Sequence, residues 1–232
     1  MLRGPLLDII SLIFKKNVTT SDIIEVAISV FSVLVVLFLV FPIFEYARGL
    51  AAKLMGDDTP ERSGMLTLNP FVHIDPMGAL VMFICRIGWT KPMPINISNC
   101  RKVKPRTAAV VVSLAGPVAN ILLSYIMIIA YKLVLMSGAG DIAYYIALGL
   151  IYTAQISIFL AIIILIPIPP FAGFTILSGF LPRRVVQFML RYQQIIYWVF
   201  LALLVTGVLS VPFSFISQGV LWLLDKASFF LG

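Results

Sequence analysis

The residues best able to do chemistry in this 232-residue sequence lie where its first long apolar run ends. Residues 26–44 carry no charge, and Glu45 and Arg48 follow at a spacing of three. On a helix that spacing places a carboxylate and a guanidinium on one face, where they attract each other. Glu45 is therefore either half of an ordinary ion pair at a helix end, with Arg48 reaching the membrane surface, or a functional carboxylate beside the membrane.

The only histidine is His73, two residues before Asp75. A zinc site there would need Asp75, Cys85 or Cys100 to fold around it, and their spacing matches no known zinc pattern. We therefore interpret His73 as a hydrogen-bonded structural residue. Cys85 and Cys100 lie in one loop without the spacing of a redox pair, and we interpret them as packing residues.

The composition is that of an integral membrane protein. Mean hydropathy is +1.06, 61% of the residues are hydrophobic and 12% are charged, against about half and about a quarter in soluble domains. The net charge of +7 does not indicate nucleic-acid binding, because the basic residues are scattered through loops. The expected partner on these grounds is the lipid bilayer.

Four apolar stretches have the length of membrane-spanning helices. They are residues 26–44, 107–131, 142–166 and 195–211. Helix-forming residues continue the first stretch to Met55, before Gly56, so this helix is expected to project beyond the membrane. We predict one membrane domain, 23–211, flanked by interfacial segments at 1–22 and 212–232.

Between the first two spans, the loop 57–106 contains a seven-residue apolar piece, 79–85. It is too short to cross a membrane and predicts a strand pair or a re-entrant element. The fold expected is an all-α polytopic membrane protein with one short β or re-entrant element in its first cytoplasmic loop.

The distribution of basic residues predicts the orientation of the chain in the cell membrane. If the N-terminus is outside, twelve of the seventeen basic residues face the cytoplasm, as the positive-inside rule expects. The loop 57–106 is then cytoplasmic. The twelve are Arg48, Lys53, Arg62, Arg86, Lys91, Arg101, Lys102, Lys104, Arg106, Arg183, Arg184 and Arg191.

Five motifs occur in one order along the chain. They read GDDT at 56–59, MLTLNPFVHIDPMG at 65–78, GWTKPMPIN at 88–96, AGPVAN at 115–120 and PIPPFAG at 167–173. In this order they resemble the compact bacterial form of the site-2 protease family, the intramembrane zinc metalloproteases, over about residues 24–185. The resemblance implies a site-2 protease-like transmembrane core, in which residues 44–48 occupy the place of an H-E-x-x-H zinc motif.

The departures from the family pattern fall on the catalytic positions. The resemblance places the two histidine ligands at Phe44 and Arg48, the aspartate ligand at Ala172, and the asparagine before the proline turn at Ile164. Of the catalytic positions, only Glu45, the family's general base, is kept. Candidates for groove or structural roles within the matching motifs are Asn69, His73, Asp75 and Asn120.

The residues at these positions predict that neither zinc nor another cofactor binds. Phenylalanine and alanine offer no lone pair to Zn²⁺, and arginine places a fixed positive charge where a dication would lie. Without the metal, the stabilisation of hydroxide from bound water, about 12 kcal/mol, is lost. Arg48 would instead project into the vacated metal cavity, paired with Glu45 or Asp75, if it does not reach the membrane surface.

Three functions remain open on the sequence alone. The first is a pseudoenzyme that binds membrane segments or partner proteins without cleaving them. The second is an active metalloendopeptidase with an atypical ligand set, which requires His73. The third is a small transporter or channel component, although ion pathways usually leave more buried charges in the spans. Asn120 is expected to bond a helix break or the cytoplasmic loop rather than substrate.

Overall fold

The computed structural model describes residues 4–85, 88–138 and 140–229. This part of the chain contains helices and one isolated bridge, between Ile74 and Thr90, and no strand, which confirms the all-α prediction. The helices are α1 (Pro5–Ile13), α2 (Thr20–Val35), α3 (Phe41–Leu54), α4 (Thr59–Arg62), α5 (Pro70–His73), α6 (Pro76–Cys85), α7 (Pro105–Met136), α8 (Gly140–Ile164), α9 (Ala172–Ser178), α10 (Arg183–Arg191), α11 (Gln193–Val205) and α12 (Ser210–Ala227).

Three helical segments in the described residues are long and apolar enough to cross a membrane: Thr20–Leu54, α7 and α8. The first joins α2 to α3 through a π-turn at Val36–Val40, just before Pro42, whose missing N–H leaves the previous turn without its usual bond. Its 35 residues extend about 52 Å, some 20 Å more than a hydrocarbon core. That length agrees with the prediction that this helix projects beyond the membrane.

The core of the protein lies where the first spanning segment packs against α7 and α8. Small side chains let α7 and α8 approach closely. Ser124 of α7 donates a hydrogen bond to the carbonyl of Ala154 on α8 (3.3 Å), and Ser157 of α8 donates to the carbonyl of Asn120 on α7 (3.3 Å). Hydroxyls that bond backbone carbonyls across helices satisfy polar groups that lipid cannot.

The apolar piece of the long loop is a helix rather than a strand pair. Helix α6 carries Met82 into the main core cluster, against residues of the first spanning segment. The chain then returns alongside α6, where a Cβ on Gly78 would lie 2.2 Å from the carbonyl oxygen of Trp89. Of the two alternatives, the re-entrant element agrees with this arrangement, and it brings Thr90 back towards α3.

The predicted spanning stretch 195–211 is not one helix. Helix α11 ends at Val205, and α12 begins at Ser210 after a turn in which Gly207 has a φ of 80°, a conformation that favours glycine and ends helices. Helix α12 packs along α8 and contacts the far part of α7, where the Lys132 Nζ lies 3.0 Å from the Asp225 carboxylate.

Candidate functional site

Glu45 is buried in the protein, and both oxygens of its carboxylate accept hydrogen bonds. Its side chain lies on α3, and the residue is 1% exposed. Arg48 Nη1 donates to both carboxylate oxygens, at 3.0 Å to Oε2 and 3.3 Å to Oε1, and the Thr90 hydroxyl also donates to Oε1. A buried carboxylate needs such partners, because an unpaired charge away from water is strongly unfavourable.

Arg48 turns inward to the carboxylate one helical turn before it. The ion pair is half-buried, with the Arg48 side chain 28% exposed, and the guanidinium lies 5.6 Å from the centre of the Phe44 ring. The sequence left open whether Arg48 reaches the surface or pairs with Glu45 or Asp75, and the partner is Glu45. Asp75 instead accepts a hydrogen bond from the backbone of Gly78 at the start of α6.

Phe44 fills the space between α3 and α7. The residue is buried, and a Cβ on Gly116 would lie 2.4 Å from its ring. Only a glycine at this position leaves room for the aromatic ring. The position that the family resemblance gives to a histidine ligand is therefore an aromatic packing contact, with Gly116 of α7 as its partner.

The five positions that the resemblance assigns to the family's catalytic residues, although far apart in the chain, line one cavity of about 370 Å³. Helix α3 supplies Phe44, Glu45 and Arg48, the end of α8 supplies Ile164, and the start of α9 supplies Ala172. The position of α9 depends on Gly173, where a Cβ would lie 2.0 Å from the carbonyl oxygen of Leu165. The proline-rich turn therefore folds back onto α8 and places Ala172 at the cavity wall.

The rest of the cavity wall is mostly apolar and aromatic, with one polar group that has no partner. The Oδ1 atom of Asn120 is buried and accepts no hydrogen bond from any described residue. A buried amide oxygen without a hydrogen-bond partner is uncommon in folded proteins. The apolar lining includes Phe41, Leu160, Ile163, Phe171, Phe200, Leu201 and Leu204.

The residues around this cavity do not fit a zinc ion. The three positions of the family's ligands hold a phenylalanine, an arginine and an alanine, and the remaining carboxylate is paired with the arginine. No group of three or more His, Cys, Asp or Glu side chains that could hold a metal occurs among the described residues. Catalytic zinc sites use three protein ligands, so this set of donors is insufficient.

Three of the candidate residues are not among those that line the cavity, and their contacts are structural. They are His73, Asn69 and Asp75. His73 is buried, and its Nε2 lies 2.7 Å from the carbonyl oxygen of Thr67. Asn69 caps α5 by accepting from the backbone N–H of Phe71. The hydrogen-bonded state of His73 agrees with its interpretation as a structural residue.

Sequence reasoning missed two important polar residues. Thr90 lies in a quoted motif, but nothing in the spacing indicates that it bonds Glu45. Asp57 is fully buried and accepts from the backbone N–H groups of Asn96 (2.7 Å) and Thr59 (3.1 Å). Burial raises the pKa of Asp57, but the hydrogen bonds from Thr59, Asn96 and Asn99 outweigh it, so the pKa lies below its usual value.

Cys100 lies in the small core that this loop forms against α3 and α7, as expected of a packing residue. Its pKa is raised by burial and, less strongly, by the Asp57 carboxylate, which disfavours the reactive thiolate. The side chain of Cys85 and all of Arg86 lie outside the described residues.

Comparison with known proteins gives one informative relative. The chain is 36% identical over 171 residues to a Bacillus subtilis (strain 168) protein named "Putative zinc metalloprotease YwhC", covering 72% of this chain and 76% of that protein. No family model and no solved structure matches the chain. The extent of this similarity agrees with the ordered motifs and with the membrane-spanning core, and the chain belongs to the site-2 protease-like family of zinc metalloproteases.

Proposed function

We propose that this protein is a non-proteolytic member of its family, which binds membrane-spanning segments of partner proteins in the cavity beside Glu45. The observation that carries the proposal is the pairing of Glu45 with Arg48 and Thr90. Both of its oxygens accept from Arg48, and one also accepts from Thr90. The carboxylate therefore has a guanidinium beside it, where a protease of the family would hold a metal-bound water for it to act on.

The chemistry of peptide hydrolysis supports the same conclusion. The family's zinc would activate water and stabilise the developing oxyanion, but the donors present do not fit the ion. Arg48 carries a permanent charge and offers no lone pair. The described residues therefore give no group that generates a nucleophile at neutral pH.

The lining of the cavity favours an apolar polypeptide as its occupant. Most of the wall consists of aliphatic and aromatic side chains. Its polar side chains include the Glu45–Arg48–Thr90 cluster, Asn120, Ser113 and Thr175. A membrane-spanning segment presents apolar side chains and, where its helix is interrupted, backbone N–H groups that need acceptors. The cavity wall includes Asn120, Ser113 and Thr175, whose side chains carry groups of the type that accept such bonds.

A cross-linking experiment on the full chain in its native membrane tests the binding. A photo-reactive benzoylphenylalanine replaces Tyr197, which lines the cavity, or the adjacent Trp198, which is 64% exposed and does not line it. We expect cross-links to membrane-spanning segments of other proteins from position 197, and their loss when Ala172→Trp fills the cavity. Equal cross-linking from both positions would contradict the proposal.

The absence of proteolysis is tested separately on the purified protein. We expect substoichiometric zinc and no cleavage of the segments that cross-link at position 197. Zinc at one ion per chain, or cleavage abolished by Glu45→Gln, would overturn the proposal in favour of an active protease. Loss of that activity in His73→Ala, with the fold intact, would assign it to an atypical ligand set.

A further inference from the structure

Helix α10 separates its charges from its apolar side chains. At 100° per residue, Arg183, Arg184, Gln187 and Arg191 fall within an arc of about 100°. The remaining arc carries only apolar side chains, namely Val185, Val186, Phe188, Met189 and Leu190. A helix with this distribution and high positive charge is typical of segments that lie in the plane of a membrane surface.

Neither face of α10 is covered by the rest of the protein. The helix has no buried residue, and on its apolar face Phe188 is 62% exposed and Leu190 is 46% exposed. None of its three arginines forms an ion pair with a described residue. Moreover, the sequence has no acidic residue between Asp141 and Asp225. The helix therefore presents an unbalanced positive face beside an exposed apolar face.

The location of α10 places it at one end of the helical bundle. Just before α10, the ring of Phe180 lies 4.4 Å from the guanidinium of Arg106, near the start of α7. Immediately after α10, α11 exposes apolar side chains, including Ile195 at 61% and Trp198 at 64%. The chain thus passes from a charged segment to an apolar one at α10, as expected where it meets the boundary between headgroups and acyl chains.

We propose that α10 is a binding site for anionic phospholipids. Its apolar face inserts at the boundary of the acyl chains, and Arg183, Arg184 and Arg191 bind the phosphate groups of headgroups such as phosphatidylglycerol. Arginine is suited to this task because its planar guanidinium donates two parallel hydrogen bonds to a phosphate. A lipid surface is favoured over an acidic protein because the exposed apolar face continues into the exposed apolar residues of α11.

This lipid contact also bears on the cavity. Helix α10 joins α9, which carries Ala172, to α11, which supplies Tyr197, Phe200, Leu201 and Leu204 to the cavity wall. An anionic membrane that holds α10 at its surface therefore fixes both ends of this part of the wall. The lipid site stands on α10 alone and does not depend on what the cavity binds.

Spin-label depth measurements on the full chain in vesicles test the proposal. A nitroxide is attached at Phe188→Cys on the apolar face or Gln187→Cys on the polar face, with the native cysteines replaced. In phosphatidylcholine vesicles containing 30% phosphatidylglycerol, we expect the label at 188 to be shielded from a water-soluble relaxation agent and the label at 187 to remain accessible. Protection without any added protein shows that no protein partner is needed.

The dependence on anionic lipid is measured by titrating the phosphatidylglycerol fraction. At a fixed phosphatidylglycerol fraction, each single change of an arginine to glutamine is expected to lower the ratio of shielded to accessible label about fivefold, and the triple change removes the dependence. The matched control is Arg62→Gln, Arg101→Gln and Lys104→Gln, which removes three exposed cations elsewhere in the chain and leaves the titration unchanged. Millimolar inorganic phosphate is expected not to compete.

Three results would overturn the proposal. They are a water-accessible label at 188 in all vesicles, equal shielding in phosphatidylcholine alone, and an equal effect of the control triple change. Thermal unfolding of each variant in detergent checks that the fold is retained. If the triple variant does not fold, the three single variants carry the test.

Discussion

At the scale of single residues, the site is decided by what surrounds one carboxylate. Glu45 occupies a position that in the family belongs to a base beside zinc, but here its partners are a guanidinium and a hydroxyl. Phe44 and Ala172 line the same cavity, and neither side chain offers an atom that could bind a metal ion. In this site the charge of Glu45 is balanced by the guanidinium of Arg48.

If this cavity retains the shape of a metal site, restoring the ligands should restore the metal. We expect the triple change Phe44→His, Arg48→His and Ala172→Asp to bind about one zinc per chain, since histidines at i and i+4 share a helix face. Elemental analysis of the purified variant measures this. The control Phe44→His with Ala172→Asp keeps Arg48 and should bind little zinc. A folded triple variant without zinc would show that the cavity has lost the geometry.

The ion pair itself should contribute to stability. Arg48→Met leaves the buried Glu45 carboxylate without its cation, and we expect the free energy of unfolding to fall by about 2 kcal/mol. This is below the roughly 3–5 kcal/mol lost when a fully buried pair is broken, because the Arg48 side chain is 28% exposed. Thermal unfolding in detergent measures the loss. Adding Glu45→Gln to Arg48→Met should recover most of it, whereas Arg62→Met, in an exposed pair with Asp58, should change little. An equal loss in the double variant would mean that the charge is not the cause.

At the scale of elements, the contact between α3 and α7 sets the position of the site. The Phe44 ring occupies the space above Gly116, so the two helices meet through an aromatic ring and a residue without a side chain. We expect Gly116→Ala to destabilise the protein by about 1–3 kcal/mol, because the added methyl group overlaps the ring. Thermal unfolding in the same detergent provides the measurement.

Two further variants separate crowding from helix propensity in this prediction. Gly219→Ala in α12, where a Cβ would meet nothing within 4 Å, should be neutral or stabilising by up to about 1 kcal/mol. Phe44→Ala should lower the cost of Gly116→Ala when the two are combined. If Gly116→Ala lowers the free energy of unfolding equally with Phe44 and with alanine at position 44, the added methyl group does not clash with the Phe44 ring.

The long loop is held to the end of α3 by Asp57. The pKa of Asp57 lies below its usual value. The stability that the ionised carboxylate contributes is therefore complete above about pH 4 and is lost as the pH falls through the lowered pKa. Asp57→Asn should lower the free energy of unfolding by about 1–3 kcal/mol at pH 7. The difference in unfolding free energy between the variant and the wild type should become smaller as the pH falls. Unfolding measured from pH 7 to pH 3 tests this, with the exposed Asp58→Asn as the control. A difference that stays constant with pH would contradict it.

The sequence predicts the large elements better than their ends. Uncharged stretches of spanning length locate the long helices, because burial in lipid imposes an unmistakable composition. The break at Gly207 is not predicted, since a single glycine in an apolar run is tolerated in many helices. At the site, the ordered motifs locate five positions of one cavity, but the bond from Thr90 to Glu45 depends on the path of the loop, which no local pattern determines.

At the scale of the whole molecule, we predict that the three segments of spanning length put the two ends of the bundle on opposite sides of a membrane. The first spanning segment leads into the loop that carries Ser63, α7 returns across, and Ser137 follows its end. The predicted orientation assigns twelve of the seventeen basic residues to the side that holds Ser63. The orientation predicted from these charges places Ser63 in the cytoplasm and Ser137 outside.

Labelling of intact cells with a membrane-impermeant maleimide tests this orientation. Ser63 and Ser137 are both exposed, so each is changed to cysteine in a background without Cys85 and Cys100. We expect the cysteine at 137 to react in intact cells and the cysteine at 63 to react only after permeabilisation, because the twelve basic residues on its side resist translocation. The reverse pattern would place the loop, α10 and the basic residues outside, where the anionic cytoplasmic leaflet cannot bind α10.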